Sequence, residues 1–415
     1  MMRCRLGLDD TDHPEVGCTT ESMNDLLVRI SREISSTIEE RRLVRLWPFA
    51  ERRTRGNGAL GAILEFPEHE KENLEAVCRE WFSQLLQRIK TYPPSPIPPS
   101  PCLVLSFDPL PEKWYWEAVR GFVDSFSRFD QATKNKCIVF HSNSTFGVVG
   151  ACAAAAWNPS VESSWELISW RQEELVGTDR MVAQKAVSGM ENNHPETFLN
   201  RDPTKDRGMI APRTPCPVLY GIRGFSESVV YNAHQWLQAR SDVEECASFA
   251  SHLTNQLSDD HIESTKRGTV TTTATETRGG HAFVFAFTGI RSLKLVAFSE
   301  GGPVNRLLRN LRPGDSISWS GLTAPDGSVH LEKLRLDTSS PRIVGRPSCC
   351  SRAMRSAGKG QDLRCLTCGK TEKKYWKSTV DDLPSGQPTG VWLEPTPSNR
   401  RHLSKPLSHG NPGGT

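Results

Sequence analysis

Runs with a two-residue apolar period and longer runs with a helical period succeed one another along the first 160 residues. Arg5-Leu6-Gly7-Leu8 reads as the end of a short buried strand. Met23, Leu26, Leu27, Ile30 and Ile34 then recur at helical spacing within residues 21–40, the mark of an amphipathic helix packed on that strand. The same reading gives strands at 42–46, 59–66, 103–107 and 137–140. It gives helices at 68–89, at 113–129 with Trp and Phe on the buried face, and at 148–156, which is built of small residues. Between them the proline-rich segment 93–101 breaks all structure and is expected as an exposed connection. Strands alternating with helices predict one α/β domain over residues 1–162.

Beyond it the periods change twice. Residues 165–171 alternate like a strand, 210–224 (IAPRTPCPVLYGIRG) are punctuated by Pro and Gly before ending in a strand, and 229–240 follow helical spacing. Together they predict a small α+β domain over 163–264. From Thr269 the pattern is all β: about five strands, with a short helix at 303–310 between the third and the fourth. That order predicts an OB-fold over 265–340, a barrel that binds oligonucleotides in many proteins and is a spacer in others. Cys349-Cys350 and Cys365-x-x-Cys368-Gly369 then suggest a zinc ribbon over 341–378, a module that needs its metal to fold. The first pair is adjacent, a spacing expected to strain tetrahedral geometry. After Trp376 the chain turns rich in Pro, Ser, Gly and basic residues, and 379–415 is expected as a disordered tail.

Composition narrows the function classes. Charged residues at 24% and apolar residues at 37% fit a globular protein, and 415 residues suffice for two to four domains. No run of about 18 apolar residues offers a membrane span. The N-terminus enters Arg3-Cys4-Arg5 with no signal-peptide pattern, so a cytoplasmic protein is expected. Net charge is only +3, but residues 342–377 hold ten Lys/Arg against two acids, a local field suited to a phosphate backbone. Of twelve cysteines, eight are scattered singly through the first 250 residues, as reduced buried thiols are.

Three segments carry candidate chemistry. Asp9, Asp10 and Asp12 follow the first strand within four residues, ahead of Thr19-Thr20 and the first helix. Crowded carboxylates repel unless a cation or hydrogen bonds offset the repulsion, so the cluster reads either as a Mg²⁺ cradle or as an acidic surface turn closed by a threonine cap. Thr54-Arg55-Gly56-Asn57-Gly58-Ala59, beside Arg52 and Arg53, is either a loop that lets backbone approach phosphate or an Asn-Gly hairpin turn. Strand 137–140 ends in the turn His141–Gly147 before a helix N-terminus, a geometry that can hold phosphate on backbone amides, although the lysine of a Walker motif is missing.

Over residues 2–376 these pieces resemble the archaeal tRNA(Ile) 2-agmatinylcytidine synthetases. GLDDTD-HPEVG-CTT is similar to that family's G-[IL]-D-D-T-D…C-T-T signature, and TRGNGA (54–59), Glu166-Leu167-Ile168, IAPRTPCPVLYGIRG (210–224) and Gly279-Gly280-His281 follow in the family's order. The resemblance implies a kinase-like α/β domain, a ferredoxin-like α+β domain, an OB-fold and a C-terminal zinc ribbon. It implies an ATP-dependent ligase that attaches agmatine to C2 of the wobble cytidine of a tRNA with a CAU anticodon, so that AUA is read in place of AUG.

Residue by residue, it implies catalytic Asp9, Asp10, Asp12 and Thr19, the threonine being itself phosphorylated, with Mg²⁺ on the three aspartates. Thr54, Arg55, Gly56, Asn57, Gly58 and Gly147 are expected to bind ATP phosphates, and Glu166, beside Trp165 and Trp170, to meet agmatine, a buried structural Glu being the other reading. Arg53, Arg223, Arg355, Lys359 and Arg364 are expected against tRNA, and Cys349, Cys350, Cys365 and Cys368 on Zn²⁺. No obligate protein partner is implied. Three segments depart from the family pattern. The loop before TRGNGA reads Trp47–Arg53 with arginine for lysine at 53, the first cysteine pair is shortened, and the family's R-T-N-Q-G-T-D-x-H reads LTNQLSDDH at 253–261. Loss of the glycine at Leu257 predicts a local backbone change. The alternative function is a catalytically weak tRNA-binding protein that keeps the barrel and ribbon.

Overall fold

In β1 (Met2–Asp9), Cys4, Leu6 and Leu8 face one way and Gly7 the other, so one strand can serve two layers. The computed structural model, which describes residues 1–53, 56–160, 163–374, 377–379 and 389–413, builds on that division. After β1 come α1 (Thr19–Glu33), β2 (Thr37–Arg45), β3 (Gly58–Phe66), α2 (Lys71–Ile89) and β4 (Cys102–Ser106). Then follow α3 (Lys113–Arg120), α4 (Ser125–Lys134), β5 (Ile138–His141), α5 (Val148–Ala156) and β6 (Ser164–Arg171). Next are α6 (Gln184–Asn193), the short β7 (Thr197–Phe198), β8 (Arg201–Asp202) and β9 (Arg207–Gly208), then β10 (Val218–Gly224), α7 (Glu227–Gln238) and β11 (Cys246–Thr254).

On one side of the sheet Leu6 and Leu8 pack with Met23, Leu26 and Ile30 of α1 and with Leu74, Trp81 and Phe82 of α2. The other side receives α5, whose nine residues are nearly all buried. Its small side chains let the helix backbone press on the sheet, and Gly7 is needed there because a Cβ would overlap the Ala151 carbonyl. That close approach brings the start of α5 against the end of β1.

Nine strands form one sheet in the order β5-β4-β1-β3-β2-β11-β6-β10-β7. The sheet runs through residues 1–162 and 163–264, read from the sequence as two domains, and Met1–Glu263 with Thr396–Pro406 form one compact unit. Neighbours are antiparallel except β2 and β11, which run parallel through Arg42–Leu253 and Leu43–Thr254. Asn255 extends that junction: its side chain accepts from the Arg45 N–H at 2.7 Å and donates to the Arg45 carbonyl at 3.0 Å, as a further ladder residue would.

Two local expectations are corrected. The helix expected over 21–40 ends at Glu33, and β2 begins at Thr37, four residues later, in register with β3. The helix expected over 113–129 is two helices, parted at Gly121, because the Asp124 carboxylate accepts from the Ser127 N–H and caps a new start. At Leu257, where the family pattern has glycine, the backbone is left-handed (φ 61°), a conformation that glycine favours.

The second unit, Ser264–Pro395 with Leu407–Thr415, is centred on a barrel. Its strands are β12 (Lys266–Val270), the short β13 (Thr275–Glu276), β14 (Ala282–Phe287), β15 (Ser292–Ala297), β16 (Ser316–Thr323) and β17 (Val329–Thr338), with α8 (Pro303–Asn310) between β15 and β16. The order β12-β16-β17-β15-β14 closes through Thr269–Phe287 and Val270–Ala286. This is the five-strand, helix-after-third plan read from the sequence. Val304, Leu307 and Leu308 of α8 fill the barrel core with Val284, Leu295 and Trp319. The tail expected to be disordered from 379 is ordered over its described residues, 389–413. Trp392–Leu393 pair with β17, with Arg335 over the Trp392 ring at 4.9 Å, and Leu403 is buried in the first unit. Two apolar anchors hold a segment whose average composition is that of a disordered one. No helix among the described residues is long and apolar enough to cross a membrane.

Candidate functional site

The end of β1 delivers the aspartates to different tasks. Asp9 lies against Gly150 of α5, and its Oδ1 accepts from the Asp10 N–H at 2.7 Å. Burial, and then the charge of Asp10, push the Asp9 carboxyl well above the usual range. Asp10 takes a left-handed backbone (φ 57°), which turns its carboxylate toward Arg52 at 3.3 Å. Burial outweighs that arginine, and the Asp10 carboxyl sits at about 6. Asp12 points elsewhere. Its Oδ1 accepts from the Thr19 N–H at 2.6 Å and from the Thr19 hydroxyl at 2.9 Å, so it caps α1 and orients Thr19 together. Thr11 in turn donates to the Thr19 oxygen at 3.2 Å.

Asp9, Asp10 and Thr19 face a cavity of about 230 Å³, which Asp12 does not line. Trp47 and Arg52 form a wall, Arg52 being held by Asp10, by the Pro98 carbonyl at 2.6 Å and over the Phe146 ring at 4.5 Å. The proline-rich segment, with Pro93, Pro94, Pro96 and Pro98 exposed as a connection's are, thus also braces the site, and Ser100 N bonds to the Asp10 carbonyl. At the rim stand Phe122, Phe126 and Phe146, exposed by 79%, 72% and 49%, an aromatic edge ready for a flat ring. Phe122 and Phe126 escaped the sequence reading because the helix was drawn through them. The Asp124-x-x-Ser127 cap is the signal that would have exposed them.

The glycine loop divides. Thr54 and Arg55 lie outside the described residues. Asn57 and Gly58 line the cavity, and Asn57 itself takes the positive φ (45°), its side chain donating to the Trp47 carbonyl at 2.8 Å. Gly56 lies in a neighbouring pocket beside Arg45 and Arg53. Gly147 packs against the backbone of Asp9 and Ser100, and the cavity is lined instead by its helix neighbours Val149 and Gly150.

Glu166 and Arg223, expected at two different substrates, are partners of each other. Glu166 is 1% exposed and bonds Arg45 at 3.0 Å, Arg223 at 3.1 Å and the Gln256 amide. Burial alone raises its pKa, but Arg223 and Arg45 overcome burial and hold it at about 2. The alternative reading, a buried structural Glu, describes this placement.

In the second unit the four cysteine sulfurs lie within 4.8 Å of one another. Cys349 Sγ is 3.9 Å from Cys350 Sγ and 3.4 Å from Cys368 Sγ. A tetrahedral ZnS₄ centre with ligands at about 2.3 Å has sulfurs about 3.8 Å apart, so the set fits zinc. The adjacent pair, expected to strain such a site, converges because Cys350 and Ser351 both turn left-handed (φ 48° and 61°). The backbone N–H groups of Cys368 and Thr367 lower the Cys365 thiol to about 6, toward the thiolate a metal needs. Arg355 and Arg364 face each other across two short strands, with exposed Lys359 in the turn between them. Like charges directly opposite are unfavourable without an anion between or beside them. The three aspartates, by contrast, do not bring one oxygen each within that 4.8 Å spacing. Of the three, Asp9 and Asp10 line the cavity.

Comparison with known proteins gives consistent results. The TiaS TCKD domain model matches residues 5–141, and the TiaS FLD domain model residues 145–261. The tRNA(Ile) 2-agmatinylcytidine synthetase TiaS of Methanopyrus kandleri is 31% identical, over 97% of this chain and 96% of that protein. That of Archaeoglobus fulgidus is 30% identical, over 98% and 97%. Among solved structures, the complex of TiaS with its isoleucine tRNA and ATP superposes with a TM-score of 0.84 at 29% identity, covering 99% of this chain and 98% of that one. The complex of TiaS with that tRNA, AMPCPP and agmatine gives 0.80 at 27%, with the same coverage.

Proposed function

The chain belongs to the tRNA(Ile) 2-agmatinylcytidine synthetase family, and from that premise we propose how its residues divide the work. The enzyme is an ATP-dependent ligase that joins agmatine to C2 of the wobble cytidine of the CAU-anticodon tRNA(Ile), changing its decoding from AUG to AUA. Its substrates are ATP, agmatine and that tRNA.

The C2 carbonyl oxygen is a poor leaving group. In the reading we favour, it takes a phosphoryl group from ATP, with cleavage of a P–O bond of the triphosphate. The agmatine amine then attacks C2, the C–N bond forms, the C–O bond breaks, phosphate leaves and the amine loses a proton. Phosphoryl transfer needs positioning and charge stabilisation more than covalent chemistry. Asp9 and Asp10 would hold Mg²⁺, which neutralises phosphate charge when bound. Arg52 offers a guanidinium on the same wall. Thr19 is the phosphorylatable hydroxyl, and Asp12, accepting its proton at 2.9 Å, is the base that would activate it. A phosphate there would lie at the start of α1, where helix N–H groups favour negative charge. The aromatic rim is suited to stack a base drawn out of the anticodon loop.

We read the barrel as an OB-fold, the cysteine module as a zinc ribbon, and the Arg355–Lys359–Arg364 face as its contact with tRNA phosphate. The first unit holds the kinase-like and ferredoxin-like parts. The observation that carries the mechanism is the pair of half-buried carboxylates, Asp9 and Asp10, opening on a cavity beside a threonine whose hydroxyl donates to Asp12. The test incubates purified protein with unmodified CAU-anticodon tRNA(Ile), Mg-ATP and labelled agmatine. ATP-dependent label in the wobble nucleoside is the expected result. tRNA retention without label would select the binding-protein alternative.

A further inference from the structure

Thr19 stands at the start of α1, and its neighbour Thr20 is tied to a strand 150 positions further along the chain. The indole N–H of Trp170, on β6, donates to the Thr20 hydroxyl oxygen at 3.0 Å. Trp170 is 1% exposed and belongs to the buried cluster that holds Met23, Leu26 and Leu27 of α1. Thr20 is half-buried, and its hydroxyl oxygen also lies 2.9 Å from Cys18 Sγ. Cys18, the residue before the helix, places no side-chain cap on it. Other residues hold the first turn instead. Asp12 accepts from the Thr19 N–H and hydroxyl, Thr11 donates to Thr19 and Ser22 at 3.2 Å, and Trp170 donates to Thr20.

The first N–H groups of a helix have no partner within it, so the first turn is the part most free to fray or rotate. Consecutive helical residues project about 100° apart around the axis. Asp12 on Thr19 and Trp170 on Thr20 therefore act on the turn from two directions, and a rotation that one permits the other opposes. An indole N–H is a donor only. Turned away from the Thr20 oxygen inside the core it would go unpaired, which is costly. The ties from Thr11 and Asp12 come from the loop that carries the aspartates and move with it. Trp170 sits on a strand of the sheet, a more precise support than a loop.

We propose that Trp170 is a positioning residue for Thr19: by holding Thr20 it fixes the first turn of α1 in the rotation that sets the Thr19 hydroxyl on Asp12. It acts through Thr20, and the proposal rests on the reading of Thr19 as the phosphorylatable hydroxyl. A strand read from the sequence as part of the second domain thus sets a reacting group of the first. Phosphoryl transfer depends on placement, and a misplacement of about 1 Å can cost about a hundredfold in rate. The loss of one tie among several costs less than that.

The test uses the full chain in the labelled-agmatine assay. Thr20→Val keeps the shape of the side chain and removes the acceptor; Trp170→Phe removes the N–H. Each is expected to lower kcat about tenfold, with KM for agmatine and affinity for tRNA within about twofold of wild type. The double variant should be no slower than either single one, because both delete the same bond. Thr20→Ser, which keeps the hydroxyl, should restore the wild-type rate. Should Trp170→Phe lower the melting temperature, Thr20→Val carries the same readouts. Wild-type kcat in Thr20→Val, losses that multiply in the double variant, a Thr20→Ser enzyme as slow as Thr20→Val, or an equal loss of tRNA affinity overturns the proposal. A wild-type protein that labels no tRNA would sink the catalytic reading instead. Amide hydrogen exchange over residues 19–23 then decides the positioning alone: exchange about tenfold faster in Thr20→Val supports it, and unchanged exchange overturns it.

Discussion

Two groups of buried carboxylates in the same sheet are treated in opposite ways. At the end of β1, Asp9 and Asp10 are raised by burial, and a single arginine at 3.3 Å only partly offsets it. On β6, Glu166 is buried more deeply, but two arginines at 3.0 and 3.1 Å hold it at about 2. A buried charge whose partners are all supplied by the chain is architecture: it costs desolvation and returns a fixed geometry. A buried charge left short of partners beside a cavity is a place where a ligand completes the electrostatics. Sequence reading left both open: a Mg²⁺ cradle or an acidic turn for the aspartates, and agmatine or a buried structural role for Glu166. What separates them is the number of cations the fold brings to each.

The largest expected effect lies at the uncompensated pair. Asp10→Asn should lower agmatine incorporation by about 10²–10³-fold, the usual loss when a charge-stabilising group is removed from a transition state, while tRNA affinity stays within about twofold. An equal loss of tRNA binding would show the carboxylate to be structural, and the contrast with Glu166 would collapse. Glu166→Gln should do the reverse. Breaking a buried pair on one side leaves two guanidiniums without their acid, at a cost of about 3–5 kcal/mol, read as a lower melting temperature or denaturant midpoint. Wild-type stability in that variant would mean that the triad contributes nothing to the fold.

The two sites also give opposite pH dependences. The Asp10 pKa is raised in the folded state, from 3.8 to about 6. Its contribution to stability is therefore full at low pH and is lost as pH rises from about 4 to about 6, by up to roughly 3 kcal/mol. The Glu166 pKa is depressed from 4.5 to about 2. Its contribution is present above 4.5 and is lost as pH falls from there toward 2. Metal-free Asp10→Asn protein should lack the first trend and keep the second in pH-dependent unfolding. Catalysis needs ionised Asp10, so kcat/KM in wild type should rise through an acid limb near pH 6. Arg52→Gln removes the charge that lowers Asp10 and should move that limb upward; a limb that stays in place would take Asp10 out of the reaction.

Much of this was legible in the sequence where the signal is local. The β1 pattern ending in Asp9, the bounds of α5 and the five-strand barrel with its helix all follow from periodicity over a few residues. What was not legible has a cause of the other kind. Glu166 meets Arg45 across 121 positions and Gln256 across 90, and the sheet joins β2 to β11 through two residue pairs. No spacing rule reaches that far. The tail misled because composition averages over many polar residues, whereas Trp392 and Leu403 act singly. At Gly121 the aromatic periodicity of 113–129 overrode the short cap signal at Asp124 that ends up shaping the cavity rim.

The smallest effect is expected at Leu257, where the family pattern has glycine and this chain holds a leucine in a left-handed backbone. A left-handed conformation costs a residue with a Cβ about 1–2 kcal/mol. Leu257 is only 6% exposed, so its side chain returns about 1.5–3 kcal/mol by burial. The two nearly cancel, which is how the chain keeps the turn without glycine and still presents Leu257 N to the His402 carbonyl at 3.0 Å. Leu257→Gly relieves the strain but loses the burial, and should destabilise by about 1 kcal/mol. Leu257→Ala loses nearly as much burial and keeps the strain, so it should fall about 1 kcal/mol below the glycine variant. That order inverts the usual one, in which alanine outlasts glycine. Denaturant midpoints for the two variants decide it. If alanine is the more stable, the turn has relaxed out of the left-handed region, and the segment Thr396–Pro406 is held to the first unit by contacts other than this one.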